Sequence, residues 1–270
     1  GQFEDTHGYY GESLAIRRQL LQQLGETPQA LRDLSVSLDN MGDAEQELRQ
    51  LDDAQGYFGE SLAIRRQLLQ QLGETPQALR DVSVSLGNMG DVARELGQLE
   101  AAQGYFGESL AIRRRLLQQL GETPQALRDL SVSLNMMGDV ARELGQLEAA
   151  QGYFGESLAI ARQLLQQFDE TPQALRDVSV SLDNMGDVAQ QLGQFNDAQG
   201  YYGESLTIAR QLLQQLGETP QVLRDLSVSL NKMGDVAWQL GQFDDAHDYF
   251  RKSLAIRRRL LQQLGETPQE

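Results

Sequence analysis

The stretch GETPQALRDLSVSL, residues 25–38, returns unchanged at 121–134 and with one or two substitutions at 73–86, 169–182 and 217–230. Its proline falls at Pro28, Pro76, Pro124, Pro172, Pro220 and Pro268, always 48 residues apart, and these are the only prolines of the chain. A fixed period of this length is the mark of a repeat array, in which each unit buries its apolar face only by stacking on its neighbours. Function is then expected on a repeated surface instead of in one pocket. The copies are close to identical: Ser83–Leu130 and Ser131–Val178 differ at seven of 48 positions. Recurrence of a residue is therefore weak evidence that it matters.

One period reads as two helices. Thr75 offers an N-cap and Pro76 a first helical position where the missing N–H costs nothing. Leu79, Val82, Leu86, Met89, Ala93 and Leu96 follow at spacings of three and four, one stripe of a helix about 20 residues and roughly 30 Å long. Gly97 supplies the left-handed stop. A second helix is expected from Glu100 to Leu120, burying Ala102, Tyr105, Phe106, Ser109, Leu110, Ile112, Leu116, Leu117 and Leu120, with Gly121 closing it. No segment alternates with period two, and the short loops make consecutive helices antiparallel. Two stops are altered: Arg49 stands in the place of Gly97, and Asp169 in the place of Gly121. A left-handed Arg costs on the order of 1 kcal/mol, Asp somewhat less.

Composition narrows the chemistry. A formal charge of −16 and a pI near 4.5 argue against a binder of nucleic-acid phosphates. The chain has no cysteine and two histidines, His7 and His247, which removes disulfides, thiolate metal sites and Cys nucleophiles. No Ser-His-Asp arrangement recurs, the glycines form no phosphate loop, and one carboxylate per repeat falls short of the roughly six to eight oxygens calcium takes. Neither catalysis nor a metal or other cofactor is expected. No apolar run approaches the roughly 18–20 residues that span a bilayer, and no secretion signal is seen, so a membrane is not expected and a cytoplasmic location is. The start in mid-repeat, without Met, reads as an excised fragment.

Leu86-x-x-Met89-Gly90, Leu96-Gly97, Ala102, Phe106 and Ser109 together resemble the tetratricopeptide repeat, and the pattern recurs five times. Gly90 and Ala102 allow close helix approach, and Phe106 fills space toward the next hairpin. The period departs from the family's usual length of about 34 residues. The extra residues read as longer helices, as in arrays similar to kinesin light chain and in bacterial multidomain proteins. The resemblance implies an all-α, right-handed superhelical solenoid of antiparallel helix pairs. One array over 1–270 is expected: a lone second helix at 1–24, full repeats at 25–72, 73–120, 121–168, 169–216 and 217–264, and the start of another at 265–270.

By the same resemblance the first helix of each pair lines a concave groove. One ladder there is Asp43, Asp91, Asp139, Asp187 and Asp235. A second is Asp39, Gly87, Asn135, Asp183 and Asn231, and a third is Gln46, Arg94, Arg142, Gln190 and Trp238, with Glu47, Glu95 and Glu143 beside them. Such a mostly acidic surface attracts a protein or peptide partner that is basic or amphipathic. Trp238, the only tryptophan, is either an interaction anchor or a cover for core near the chain end. Chaperone-binding members of the family hold a peptide carboxylate with Lys, Arg and Asn. Asn40, Asn88 and Asn184 match that pattern, but Lys232 is the only accompanying Lys, so such a clamp is disfavoured.

Two Arg ladders complete the repeat. Arg32, Arg80, Arg128, Arg176 and Arg224, each followed by Asp, are expected to pair between repeats. Arg18, Arg66, Arg114, Arg162, Arg210 and Arg258 are expected to lay their stems over apolar surface and reach helix-end carbonyls or solvent. Gly104 and Gly107 sit inside a helix, where each costs about 1 kcal/mol against Ala. Either close approach of another helix or drift copied by duplication explains them. The implied function is a protein-interaction scaffold. The alternatives are end-to-end self-association through uncapped ends, and the sensor or regulatory part of a larger signalling protein.

Overall fold

The computed structural model describes residues 2–168 and 171–265, and all regular structure among them is helical. Eleven helices follow in order: α1 (Gln2–Leu24), α2 (Pro28–Glu47), α3 (Leu51–Leu72), α4 (Pro76–Glu95), α5 (Leu99–Leu120), α6 (Pro124–Glu143), α7 (Leu147–Gln167), α8 (Pro172–Gln191), α9 (Phe195–Leu216), α10 (Pro220–Gln239) and α11 (Phe243–Gly265). None is long and apolar enough to cross a membrane. The helices fall into two compact units, Gly1–Leu144 and Gly145–Glu270. In the first, α2 with α3 and α4 with α5 form hairpins, α3 also packs on α4 and α5 on α6, and α1 lies on α2. In the second, α7 lies on α8, α8 with α9 and α10 with α11 form hairpins, and α9 packs on α10.

The helix boundaries have local causes. The Thr27, Thr75, Thr123, Thr171 and Thr219 hydroxyls accept from the N–H three residues on, ahead of the proline at the first helical position. The even-numbered helices end two residues before a left-handed residue: Gly97 has φ 74°, and Arg49 holds the same conformation at φ 61°. Arg49 is the one non-glycine residue with positive φ among those described, and its Nη1 donates to Glu95 at 3.0 Å. Asp169, the other altered stop, lies outside the described residues.

The expected stripes form the core. Leu79, Val82, Leu86, Met89 and Ala93 of α4 are buried, as are Ala102, Phe106, Ser109, Leu110 and Leu116 of α5. Leu120 differs from expectation: it is exposed, because the last residue of α5 lies beyond the turns that neighbouring helices cover. Each aromatic of the Phe106 type has two tasks. Phe58 belongs to the cluster with Val82, Leu86 and Met89 of the following hairpin, as expected, and its ring also lies close against Gly42 of its own hairpin. A Cβ added at Gly42 falls 2.5 Å from Phe58 Cε1, and one at Gly90 falls inside the contact distance of Phe106. Buried serines tie the helices further, with Ser109 Oγ donating to the Ser83 carbonyl at 2.9 Å and Ser253 Oγ to that of Ser227 at 2.8 Å.

Gly90→Ala should therefore lower stability despite its better helix propensity, because the ring of Phe106 has to move within a close-packed core. A loss of about 2 kcal/mol is expected in denaturant melts. Unchanged stability would show that the helix spacing at Gly90 is not set by this contact.

Candidate functional site

The even-numbered helices carry the residues singled out for partner binding. In the first unit, Asp43 is exposed on α2, and Asp91 on α4 and Asp139 on α6 are half-buried. Arg94 is near enough to Asp91 to favour its charged form, but its ion pairs lie elsewhere. It reaches into the next repeat, 3.8 Å from Asp139 Oδ2 and 3.9 Å from Glu143 Oε1. Arg142 Nη2 donates to Asp139 Oδ1 at 3.1 Å, and Gln46 and Arg49 both donate to Glu95. Asp43, Gln46, Glu47, Arg49, Arg94 and Glu95 line an open recess of about 670 Å³ between α2 and α4. Partial desolvation raises the pKa of Asp43 and Asp91 above the ordinary carboxylate value. Neighbouring Asp39 and Glu47 add to the effect at Asp43, while Arg94 opposes it at Asp91.

The second unit is less acidic. The positions of Glu47, Glu95 and Glu143 hold Gln191 and Gln239. Lys232 Nζ donates to Asp187 Oδ1 at 2.5 Å and lies 5.2 Å from the ring centre of Tyr202. Tyr202 takes the place of Phe106, and its hydroxyl donates to Asp187 at 2.7 Å; burial and that carboxylate push its pKa well up. Lys232, the one hint of a carboxylate clamp, is thus committed to an internal partner. Asp235 is exposed, with its pKa raised by desolvation against the opposing charge of Lys232. Trp238 is 57% exposed, and its ring meets that of Phe243 edge-on at 4.9 Å between ring centres.

The second ladder lies deeper than the first. Asp39, Asn135, Asp183 and Asn231 are half-buried and Gly87 is buried. Asp39 and Asp183 face the odd-numbered helices, and burial raises the pKa of both. Asp39 is paired with Arg65 of α3, a residue that sequence reasoning passed over. Arg65 is one of the few buried charged groups: Nη2 donates to Asp39, Nη1 to Ser85 Oγ at 2.9 Å and to the Asp81 carbonyl at 3.0 Å, and Nε to Ser35 Oγ at 3.5 Å. At the same place in the repeat, Arg17 pairs with Asp33 at 2.6 Å and Arg113 with Asp129 at 3.3 Å. Positions 161 and 209 hold Ala instead. The signal available in the sequence was that substitution in an otherwise uniform repeat.

Members of both Arg ladders pair between repeats. Arg80 reaches Asp129 at 3.7 Å and Arg176 reaches Asp225 at 3.4 Å. The other ladder corrects the expectation. Arg18, Arg66 and Arg162 end not at helix carbonyls but on Glu60, Glu108 and Glu204 of the following odd-numbered helix, each at 2.6 Å. An acidic residue one repeat on offers a charged acceptor that outcompetes a carbonyl. No group of three or more His, Cys, Asp or Glu side chains is placed to hold a metal ion among the described residues.

Family models described as tetratricopeptide repeat match residues 34–71, 81–163, 129–211 and 177–259. No curated protein matches the chain. Among solved structures, BtubC (BKLC) from P. vanneervenii superposes with a TM-score of 0.75 at 18% identity, over 100% of this chain and 95% of that one. A putative kinesin light chain from P. anserina with nearly identical TPR-like repeats gives 0.65 at 19% identity, over 87% and 98%. YrrB, a TPR protein with an unusual peptide-binding site, gives 0.51 at 11% identity, over 93% and 98%. At these identities the likeness is one of fold.

Proposed function

The chain belongs to the tetratricopeptide repeat family, and from that premise we propose that it is a protein-interaction scaffold whose even-numbered helices receive a basic or amphipathic segment. The observation that carries this reading is the charge of the first unit. Asp43, Glu47, Asp91, Glu95, Asp139 and Glu143 stand there against Arg49, Arg94 and Arg142. The internal pairs neutralise only part of that row, and the remainder attracts cationic chains and speeds their encounter. In the second unit the exposed Trp238 and Phe243 supply an apolar anchor, of the kind that carries much of an interface's energy.

The test is titration of an amphipathic Lys/Arg-rich peptide. Affinity should fall by about tenfold on raising salt from dilute buffer to a few tenths molar, as exposed charges are screened. Asp91→Asn with Asp139→Asn should weaken binding about fivefold without shifting the melting temperature downward. Because Asp43 and Asp91 have raised pKa values, their charge disappears at a higher pH than that of ordinary carboxylates. Binding should accordingly begin to fail on acidification at a higher pH than the ordinary Asp value predicts. Binding indifferent to salt, to pH and to these substitutions would reduce the acidic row to solvated surface.

A further inference from the structure

The first unit holds a guanidinium group in a small receptor, and the second unit repeats that receptor without the arginine. Arg65 of α3 is gripped from two sides, by Ser35 and Asp39 of α2 and by Ser85 and the Asp81 carbonyl of α4. Three repeats on, the four partners recur as Ser179 and Asp183 of α8 and Asp225 and Ser229 of α10, while Arg65 is replaced by Ala209 of α9. These five residues line a cavity of about 420 Å³. Asp183 Oδ1 is buried without a hydrogen-bond partner, as Asp39 Oδ1 is in the occupied site, and Ser205 Oγ lies between Ser179 Oγ at 2.9 Å and Ser229 Oγ at 3.5 Å.

The neighbouring cations do not fill the vacancy. Arg176, which also lines the cavity, directs Nε to Asp225 Oδ2 at 3.4 Å, and Lys232 is bonded to Asp187. Arg224 lines the wall as well, so three carboxylates, Asp177, Asp183 and Asp225, face two guanidinium groups there. A guanidinium seated here as Arg65 is would give Asp183 the charge-assisted donor that Asp39 has. Acceptors on two sides suit the planar fork of a guanidinium better than the point charge of an ammonium.

We propose that this cavity between α8, α9 and α10 takes an arginine side chain from a protein partner, its guanidinium seated against Asp183 as that of Arg65 is against Asp39. The proposal rests on the reading of the chain as an interaction scaffold and names the residue that the second unit selects.

The experiment uses the whole chain with two probes: n-propylguanidinium, and a basic peptide with one central Arg compared with its Lys version. Propylguanidinium should bind saturably, and the peptide should lose about tenfold in affinity on the Arg-to-Lys change, one well-made charged contact. Ala209→Arg places a tethered guanidinium in the cavity and should abolish both effects. Ala209→Leu, which fills space without charge, should weaken both, and so should Asp183→Asn. Glu108→Gln, in the other unit and in an exposed pair with Arg66, should change neither. Circular dichroism melts check that each variant folds.

Absence of propylguanidinium binding, or binding unaffected by Ala209→Arg, Ala209→Leu and Asp183→Asn, overturns the proposal. A peptide bound with no Arg preference yet sensitive to Asp91→Asn and Asp139→Asn overturns it too, while leaving the scaffold reading in place. Propylguanidinium captured in an Ala209-dependent way, with no basic peptide bound at all, overturns the protein source and assigns the cavity to a free guanidinium compound.

Discussion

Replacing Gly56, Gly59, Gly104, Gly107, Gly152, Gly155, Gly200 and Gly203 together by Ala should raise the melting temperature by about 10 °C or more. All eight lie inside the odd-numbered helices, and a Cβ built at seven of them meets nothing within 4 Å. At Gly155 it meets only Met185 Sδ, at 3.9 Å, an ordinary contact. Close approach of another helix of the same unit therefore does not explain these glycines. Each substitution removes backbone freedom from the unfolded chain and gains about 0.5–1 kcal/mol, so four changes per unit are worth on the order of 2–4 kcal/mol. The chain contains its own control: α11 carries Asp248 and Arg251 at these places, hydrogen-bonded to each other at 2.6 Å within a continuous helix. Calorimetry on the eightfold variant decides the matter. A melting temperature that stays level or falls would mean that the glycines serve a contact with another molecule.

Arg65→Ala and Arg66→Ala should have very unequal consequences although the residues are adjacent. Removing Arg65 takes one partner from a buried ion pair and leaves Asp39, Ser35 and Ser85 without their donor, at a cost of about 3 kcal/mol or more at neutral pH. Arg65 is also what opposes the desolvation of Asp39, so its loss raises the Asp39 pKa further. A carboxyl whose folded pKa exceeds its unfolded value takes up a proton on folding. The variant should therefore regain part of its stability as pH falls from neutral through that raised pKa, and the double change with Asp39→Ser should recover part of it at neutral pH. Arg66 holds Glu108 at 2.6 Å with both side chains 46% exposed. Its removal should cost no more than about 0.5 kcal/mol. Equal losses for the two variants in urea melts would show that burial does not separate them.

That contrast marks the limit of what the sequence discloses. Helix positions, Thr caps, Gly stops and the left-handed Arg49 follow from local rules, since each depends on residues within one turn. Whether a guanidinium is buried depends instead on two helices that are 16 and 26 residues away in sequence and press on it from both sides. Arg65 and Arg66 both read as polar-face residues in a single helix, and the docking of α2 and α4 distinguishes them. The same holds for the acidic row: the type and order of its charges are legible, but the reach of Arg94 into the next repeat is a matter of spacing between helices. The empty receptor at Ala209 was written in the repeat as an Arg-to-Ala change, yet its meaning required Arg65 to be seen in place.

The few side chains that break the repeat have a role in assembly. Near-identical segments offer the folding chain wrong neighbours almost as good as the right ones, because any odd-numbered helix presents much the same Leu and Phe face to any even-numbered one. Docking one repeat out of register forfeits little apolar burial. It does forfeit two pairs made between repeats, His7 Nε2 with Glu45 at 2.9 Å in the first unit and Lys232 with Asp187 in the second. A misdocked Glu45 is left desolvated without its donor and a misdocked Asp187 without its cation, so these singular contacts penalise slipped alignments more than they reward the native one. They act as keys, each cut for one lock in a row of otherwise interchangeable doors.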